Sequence, residues 1–242
     1  MEIFNAAIRE TEELLSSVSA PRKWLYDPSA CWEDTGHSEL VMQREAAFEL
    51  GASGKGAVSY SCFTTDEKLV GADEVWLYGP DLPEIRGDCA FARIVLFSTQ
   101  DVGEEDEAYR ALQSIDFVKY HVFPKGYMIR ALSEDNREQV RVSAEAVRAG
   151  ISFRRVGFDY IRRYRENENV RGVRVIFVTL PDAPYDKLKA LAGRVGTISR
   201  SLSTILEGIP TDCDSCGLRA VCDEVEGMRE LHFQQVNQSN KN

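Results

Sequence analysis

The part of the chain best equipped for chemistry is a run of thiols, Asp212-Cys213-Asp214-Ser215-Cys216-Gly217-Leu218-Arg219-Ala220-Val221-Cys222-Asp223. Two thiolates with two residues between them can fold back on one metal, because a Cys-x-x-Cys turn brings both sulfurs to one point. Cys222 then closes the site from the next turn. The pattern, C-x2-C-x5-C, is one ligand short of the four that structural zinc or a cubane iron–sulfur cluster takes. The fourth is either an exchangeable or partner-supplied ligand on a cluster, or His232 on zinc. Asp212, Asp214, Asp223 and Glu224 crowd the run, which argues against a buried apolar segment. The other cysteines, Cys31, Cys62 and Cys89, stand alone and read as packed thiols, with recruitment of Cys62 or Cys89 to a metal as the minority reading. Six cysteines in 242 residues are too few for a disulfide scaffold.

The second concentration of chemical potential is arginine. Residues 130 to 174 carry 11 basic side chains, all arginine, against 7 acidic ones, whereas the whole chain has a net charge of −10. So acidic a chain lacks the extended basic face that nucleic acid requires. A local arginine cluster suffices for a small anion. Arg137, Arg141 and Arg148 are spaced for one face of a helix running from Ser133-Glu134-Asp135-Asn136 to Gly150. With Arg162, Arg163 and Arg165 of a second helical stretch they form either an anion site or a solvated face paired with Glu134, Glu138, Glu145 and Asp159.

The elements that must position these groups are helices and strands in mixed order. Helical spacing of Phe4, Ile8, Leu15 and Val18 predicts an opening helix over 2–19, ended by Pro21. The aromatic-rich stretch 21–38 reads as a loop. Strands are expected at 57–64, 73–78 and 91–98, with Ile94-Val95-Leu96-Phe97 apolar on both sides as a central strand should be. Further strands are expected at 117–122, 127–132 and 173–178. Helices are expected at 103–114, 158–168, 185–192, 198–207 and 223–232. No apolar run approaches the roughly 20 residues of a membrane helix, no leader peptide is recognisable, and the protein is expected in the cytoplasm. No phosphate-binding loop, dinucleotide fingerprint or Ser-His-Asp or Cys-His set is assignable, and His121 has no partnered nucleophile.

Several of these stretches together resemble the middle domain of acetyl-CoA synthase, the synthase (beta) subunit of the carbon monoxide dehydrogenase/acetyl-CoA synthase complex. They are Phe48-Glu49-Leu50, Gly79-Pro80-Asp81 before an apolar strand, Arg141-Val142-Ser143 with Ala146-Val147, Gly150, Phe153 and Gly157, and the strand at 173–178. The likeness spans about residues 45–222, and the run from Arg141 to Gly157 is its most specific part. The cysteine run begins about where that family's nickel–iron–sulfur motif begins. Here the third cysteine comes sooner, the fourth is missing, and no Cys-Gly-Cys is present.

The resemblance implies coenzyme A binding by arginines near a tryptophan, to which Arg130, Arg137 and Arg141 correspond, although all three tryptophans precede residue 77. It also implies a carbon monoxide dehydrogenase or corrinoid-protein partner.

These readings converge on an α+β fold: a mixed sheet with helices packed on its faces, plus a small C-terminal Cys-rich metal-binding extension. The expected divisions are an amino-terminal helix and aromatic-rich loop (1–44), a body resembling the synthase middle domain (45–207) and the cysteine tail (208–242). The expected function is a metal–sulfur, iron–sulfur-type protein, a stand-alone accessory relative of the synthase that binds coenzyme A. The alternatives are a non-catalytic zinc-stapled module and a coenzyme A-binding protein with incidental cysteines. No catalytic residue is assigned.

Overall fold

A computed structural model describes residues 3–100, 115, 117–132 and 136–206. Their fold is α+β, built on two sheets. The larger has the order β1 (Arg22–Leu25), β4 (Glu74–Tyr78), β8 (Val170–Val178), β5 (Phe91–Thr99), β3 (Ala57–Thr64). It is mixed: β4/β8 and β3/β5 pair in parallel, while β1/β4 and β5/β8 pair antiparallel. The smaller is antiparallel, β2 (Ala46–Leu50), β7 (Arg137–Ser143), β6 (Tyr127–Leu132). The α-helices that pack around the sheets are α1 (Asn5–Ser16), α2 (Ala144–Arg148), α3 (Phe153–Arg165) and α4 (Tyr185–Leu206).

Successive strand residues point to opposite faces, so the large sheet is buried on both sides. Ile94, Leu96, Ile176 and Val178 meet Phe4, just before α1, Ile8 of α1, and Leu188 and Leu191 of α4. On the other face Phe91, Val95, Phe97, Val175 and Phe177 meet Phe153, Val156, Tyr160 and Tyr164 of α3, together with Leu50, Val140 and Val142 of the small sheet. The protein therefore has three layers, with α3 and the small sheet side by side in one of them. Close approach is enforced at Gly157, where a Cβ would lie 2.5 Å from Val75 Cγ2 and 2.9 Å from Val75 Cγ1.

Strands at 57–64, 73–78, 91–98, 127–132 and 173–178 occur within a few residues of expectation, and β5 is indeed interior and buried along its whole length. Four expectations need correction. The helix from 133 to 150 is instead β7 followed by the single turn α2. Its outward residues, Arg137, Gln139 and Arg141, alternate with buried Glu138, Val140 and Val142, and pairing with both β2 and β6 outweighs the helix-start signal. Ser143 is the true cap, its Oγ accepting from the Ala146 N–H at 3.0 Å.

The strand expected at 117–122 is a 3-10 turn at Val118–Tyr120, which brings the rings of Phe117 and His121 to 4.6 Å. Helices 185–192 and 198–207 are one helix, α4, because Leu188, Leu191, Ala192 and Val195 keep a single apolar stripe across Gly193 and Gly196. The stretch 21–38 is not all loop, for it contributes the edge strand β1. The helices expected at 103–114 and 223–232 lie outside the described residues. No helix among the described residues is long and apolar enough to cross a membrane.

Candidate functional site

Segment 32–37 runs antiparallel to 123–125. Thr35 N donates to the Phe123 carbonyl at 3.0 Å, Lys125 N donates to the Glu33 carbonyl at 2.8 Å, and Asp34 and Pro124 form an isolated bridge. This pairing holds Trp32 at the base of a cleft of about 930 Å³ between the segment 37–45, the turn at 125–126 and the β7–α2 junction. Trp32 Nε1 donates to the Lys125 carbonyl at 2.9 Å, which fixes the ring plane. Gly126 (φ +70°) makes room at the junction, since a Cβ there would meet Ser143 Oγ at 2.5 Å and Ala146 Cβ at 2.7 Å.

Arg155 comes from the first turn of α3, whose cap is Ser152, and its guanidinium lies 4.3 Å from the centre of the Trp32 ring. That is cation–π geometry. Apart from a long 3.5 Å contact to the Gly150 carbonyl, Arg155 has no carbonyl or carboxylate partner among the described residues. Arg44 and Arg148 line the same cleft and have no ion pair among those residues. Four carboxylates line the cleft as well, and of these Glu145 has no ion pair among the described residues while the other three are engaged. Glu33 pairs with Lys125 at 2.9 Å, and Glu39 and Glu45 accept from the backbone N–H groups of Gly126 and Met42. The cleft thus offers three guanidinium groups without an ion pair among the described residues, one of them lying over the buried Trp32 ring, a set suited to a phosphorylated ligand.

Beneath Arg155, one helical turn along α3, lies Asp159, which is fully buried. Its Oδ1 is 3.2 Å from Arg162 Nη2, and Asp34, gripped by Arg162 and Arg163 at 3.7 and 3.5 Å, faces it. Burial pushes the Asp159 carboxyl up to about 7, against the pull of Arg162 and with the help of Asp34. Burial and the nearby Asp159 also push the Cys31 thiol upward, so it is not an activated nucleophile.

The arginines singled out by the sequence do share a face, though of the small sheet rather than of a helix. Arg130 stands opposite Gln139 on β6, with Arg137 and Arg141 along β7. Arg141 is committed. Its Nη2 lies 2.6 Å from Glu49 Oε1, its Nε donates to the same oxygen at 2.7 Å, and its Nη1 donates to the Val41 carbonyl at 3.0 Å. Arg130 is exposed and Arg137 half-buried. Arg148, expected on their helical face, turns up in α2 at the cleft.

Trp32 and Arg155 escaped sequence reasoning because 123 positions separate them and neither lies in a motif. Cys213, Cys216, Cys222 and His232 lie outside the described residues. Among the described ones no group of three or more His, Cys, Asp or Glu side chains is placed to hold a metal ion. Cys62 is sealed in the core under α1 and α4, and burial raises the Cys89 thiol to about 11, so neither is presented as a ready thiolate.

No family model matches the chain, and no curated protein matches it.

Proposed function

We propose that this is a cytoplasmic metal–sulfur protein of carbon monoxide and acetyl-CoA metabolism, an accessory relative of the acetyl-CoA synthase subunit. On this reading it binds coenzyme A in the Trp32–Arg155 cleft and carries an iron–sulfur cluster on Cys213, Cys216 and Cys222 in a small carboxy-terminal extension. The observation that carries the coenzyme half is the guanidinium of Arg155 lying over Trp32, beside the unpaired Arg44 and Arg148. Coenzyme A carries phosphates that need cations, and these three guanidinium groups have none of their charge taken up by an ion pair among the described residues. The resemblance implies arginines near a tryptophan, and on this reading Trp32, from upstream in the chain, takes that tryptophan's place. The cluster half rests on the C-x2-C-x5-C spacing.

A bound cluster would supply redox or ligand-binding chemistry. The cysteines form no Cys-x-Cys from which a nickel pair could be built, so a complete synthesis of acetyl-CoA is not ascribed to the chain. A carbon monoxide dehydrogenase or corrinoid protein is the partner class that this reading entails.

Two measurements test the proposal. Protein purified without oxygen should be brown and contain iron and sulfide, and replacing Cys213 and Cys216 together by serine should remove them while the sheets stay folded. Bound zinc in a colourless protein would replace the cluster by a structural staple, and unchanged metal in the double variant would sink the tail site altogether. Calorimetry should register coenzyme A binding that weakens with salt, because exposed charge pairs are screened beyond about 8 Å at physiological ionic strength. No heat at any ionic strength would leave the cleft without this ligand.

A further inference from the structure

The cleft beside Trp32 is lined by four cations, Arg44, Lys125, Arg148 and Arg155, and by four carboxylates, Glu33, Glu39, Glu45 and Glu145. A site that only collected negative charge would not be balanced in this way. The charges are also sorted along its length. Ser143 N donates to the Gly126 carbonyl at 2.8 Å, which sets Lys125 and Gly126 at the amino-terminal end of α2, where Glu145 stands in the first turn. The bond to Glu33, backed by the charges of Glu33, Glu39 and Glu145, raises the Lys125 pKa above its ordinary value, so three carboxylates act on one ammonium at that end. At the other end Arg148 occupies the last turn of α2, and Arg155 reaches the Gly150 carbonyl just beyond it at 3.5 Å.

Most of the remaining groups are spent within the protein. Glu33 is bound to Lys125, Glu39 to the Gly126 N–H and Glu45 to the Met42 N–H, and His37 Nδ1 donates to the Thr35 carbonyl at 2.8 Å. Glu145 is exposed and has neither an ion pair nor a side-chain hydrogen bond among the described residues. It lies three positions before Arg148 on the same short helix. Side chains at that spacing are neighbours, with about 5–6 Å between Cβ atoms. A phosphate on Arg148 and Arg155 therefore meets the repulsion of Glu145, unless the ligand also carries a donor that this carboxylate can accept from.

We infer that Glu145 selects and orients the ligand of the cleft: a phosphate ester with its phosphate on Arg148 and Arg155 and a nitrogen-bound proton, of an ammonium or an amide, on Glu145. This role rests on the reading of the cleft as a phosphate site. In coenzyme A the amide N–H groups of the pantetheine arm are the matching donors, so the arm runs toward Lys125 and the phosphates lie at the corner between α2 and α3.

Ligand-observed NMR titration of the full chain with O-phosphoethanolamine and ethyl phosphate, which differ in the ammonium alone, tests this role. Phosphoethanolamine should bind about tenfold more tightly than ethyl phosphate, the worth of one charge-assisted bond. Glu145→Gln, at an exposed side chain, should weaken phosphoethanolamine about tenfold and leave ethyl phosphate equal or tighter, a divergence that mere loosening of the cleft would not produce. Arg148→Gln should weaken both esters about fivefold. Equal binding of the two esters by the parent would overturn the role of Glu145 and leave the phosphate reading intact. A preference for phosphoethanolamine that persists in Glu145→Gln would assign the ammonium to another carboxylate and overturn it as well. Binding of neither ester, or binding indifferent to Arg148→Gln, would remove the phosphate reading of this corner, and the role of Glu145 with it.

Discussion

Arg93, on β5 of the large sheet, and Arg155, on α3 in the layer packed against that sheet, do opposite work. Arg93 is 2% exposed, clamped by Glu138 and Ser59, with its guanidinium 4.8 Å from the ring of Tyr160. Burial opposes its charge, but Glu138 and the surrounding phenols more than offset this, and its pKa lies above the ordinary arginine value. Arg155 keeps its guanidinium at the surface over Trp32, with no carboxylate partner among the described residues. A paired, buried guanidinium joins two sheets and has nothing left for a ligand. An unpaired one at a cleft leaves its charge available. Arginine count therefore says little about anion binding until each partner is known, and Arg141, held by Glu49 and the Val41 carbonyl, belongs with Arg93 rather than with Arg155.

The strongest way to break this contrast is at Glu138. Glu138→Gln leaves Arg93 charged and buried without a counter-ion, and it should lower unfolding stability by about 3–5 kcal/mol. The double change Arg93→Met with Glu138→Leu removes the pair as a unit and should recover most of that loss, because an apolar pair of similar volume is often as stable. Urea unfolding of the two variants and the parent decides the matter. Equal stability of Glu138→Gln and the parent would mean that the pair is not buried in solution.

Next in size is the pH response of Asp159, beneath Arg155. The unfolded chain releases this proton near pH 4, whereas the folded protein holds it to about 7. Between those values the folded state carries more protons, so raising the pH favours unfolding. The contribution is fully present below pH 4 and lost as the pH rises through 7, an effect of at most about 4 kcal/mol. Arg162, Arg155 and Asp34 are the charged groups acting on it, and the two arginines moderate the loss. Asp159→Asn should flatten the dependence between pH 5 and 8 and leave the variant more stable than the parent at pH 8. A parent whose thermal midpoint does not fall across that range would place Asp159 ionised throughout, in an ion pair with Arg162.

Most of the large sheet was legible because its strands carry their own pattern: alternation in Ala57–Thr64 and the apolar runs Ile94-Val95-Leu96-Phe97 and Val175-Ile176-Phe177-Val178. β7 was not, because a spacing of four residues suits a helix and is also an even number, so Arg137 and Arg141 share a face in either structure. The alternation of Glu138, Val140 and Val142 was the discriminating signal. β1 is four residues on a sheet edge with no residue buried, and it leaves no periodicity to read. The buried ion pair did leave a trace. A charged residue inside Phe91-Ala92-Arg93-Ile94-Val95 must find a counter-charge, though nothing local names Glu138 as the one. The pairing of Trp32 with Arg155 left none, because it is made by tertiary packing of a loop on a helix.

The smallest effects separate Arg155 from Arg141. If Arg155 is the anion-binding group, Arg155→Ala should weaken coenzyme A binding about tenfold, the scale of one charge-assisted contact together with part of a cation–π interaction. The same change should alter stability by no more than about 1 kcal/mol, since it breaks no ion pair and leaves Trp32 bonded to the Lys125 carbonyl. Arg141→Ala should do the reverse. It removes a partly buried pair with Glu49 and a bond to the Val41 carbonyl, at a stability cost of about 1 kcal/mol, and leaves coenzyme A affinity within about twofold, because that guanidinium is already committed. Arg155→Lys keeps the charge but loses the planar group that covers the indole, and it should fall between Arg155→Ala and the parent. Calorimetric titration of the three variants, with stability read from urea unfolding, makes the test. A larger loss of affinity in Arg141→Ala than in Arg155→Ala would move the coenzyme from the cleft to the outer face of the small sheet, where Arg130 and Arg137 would then be its neighbours.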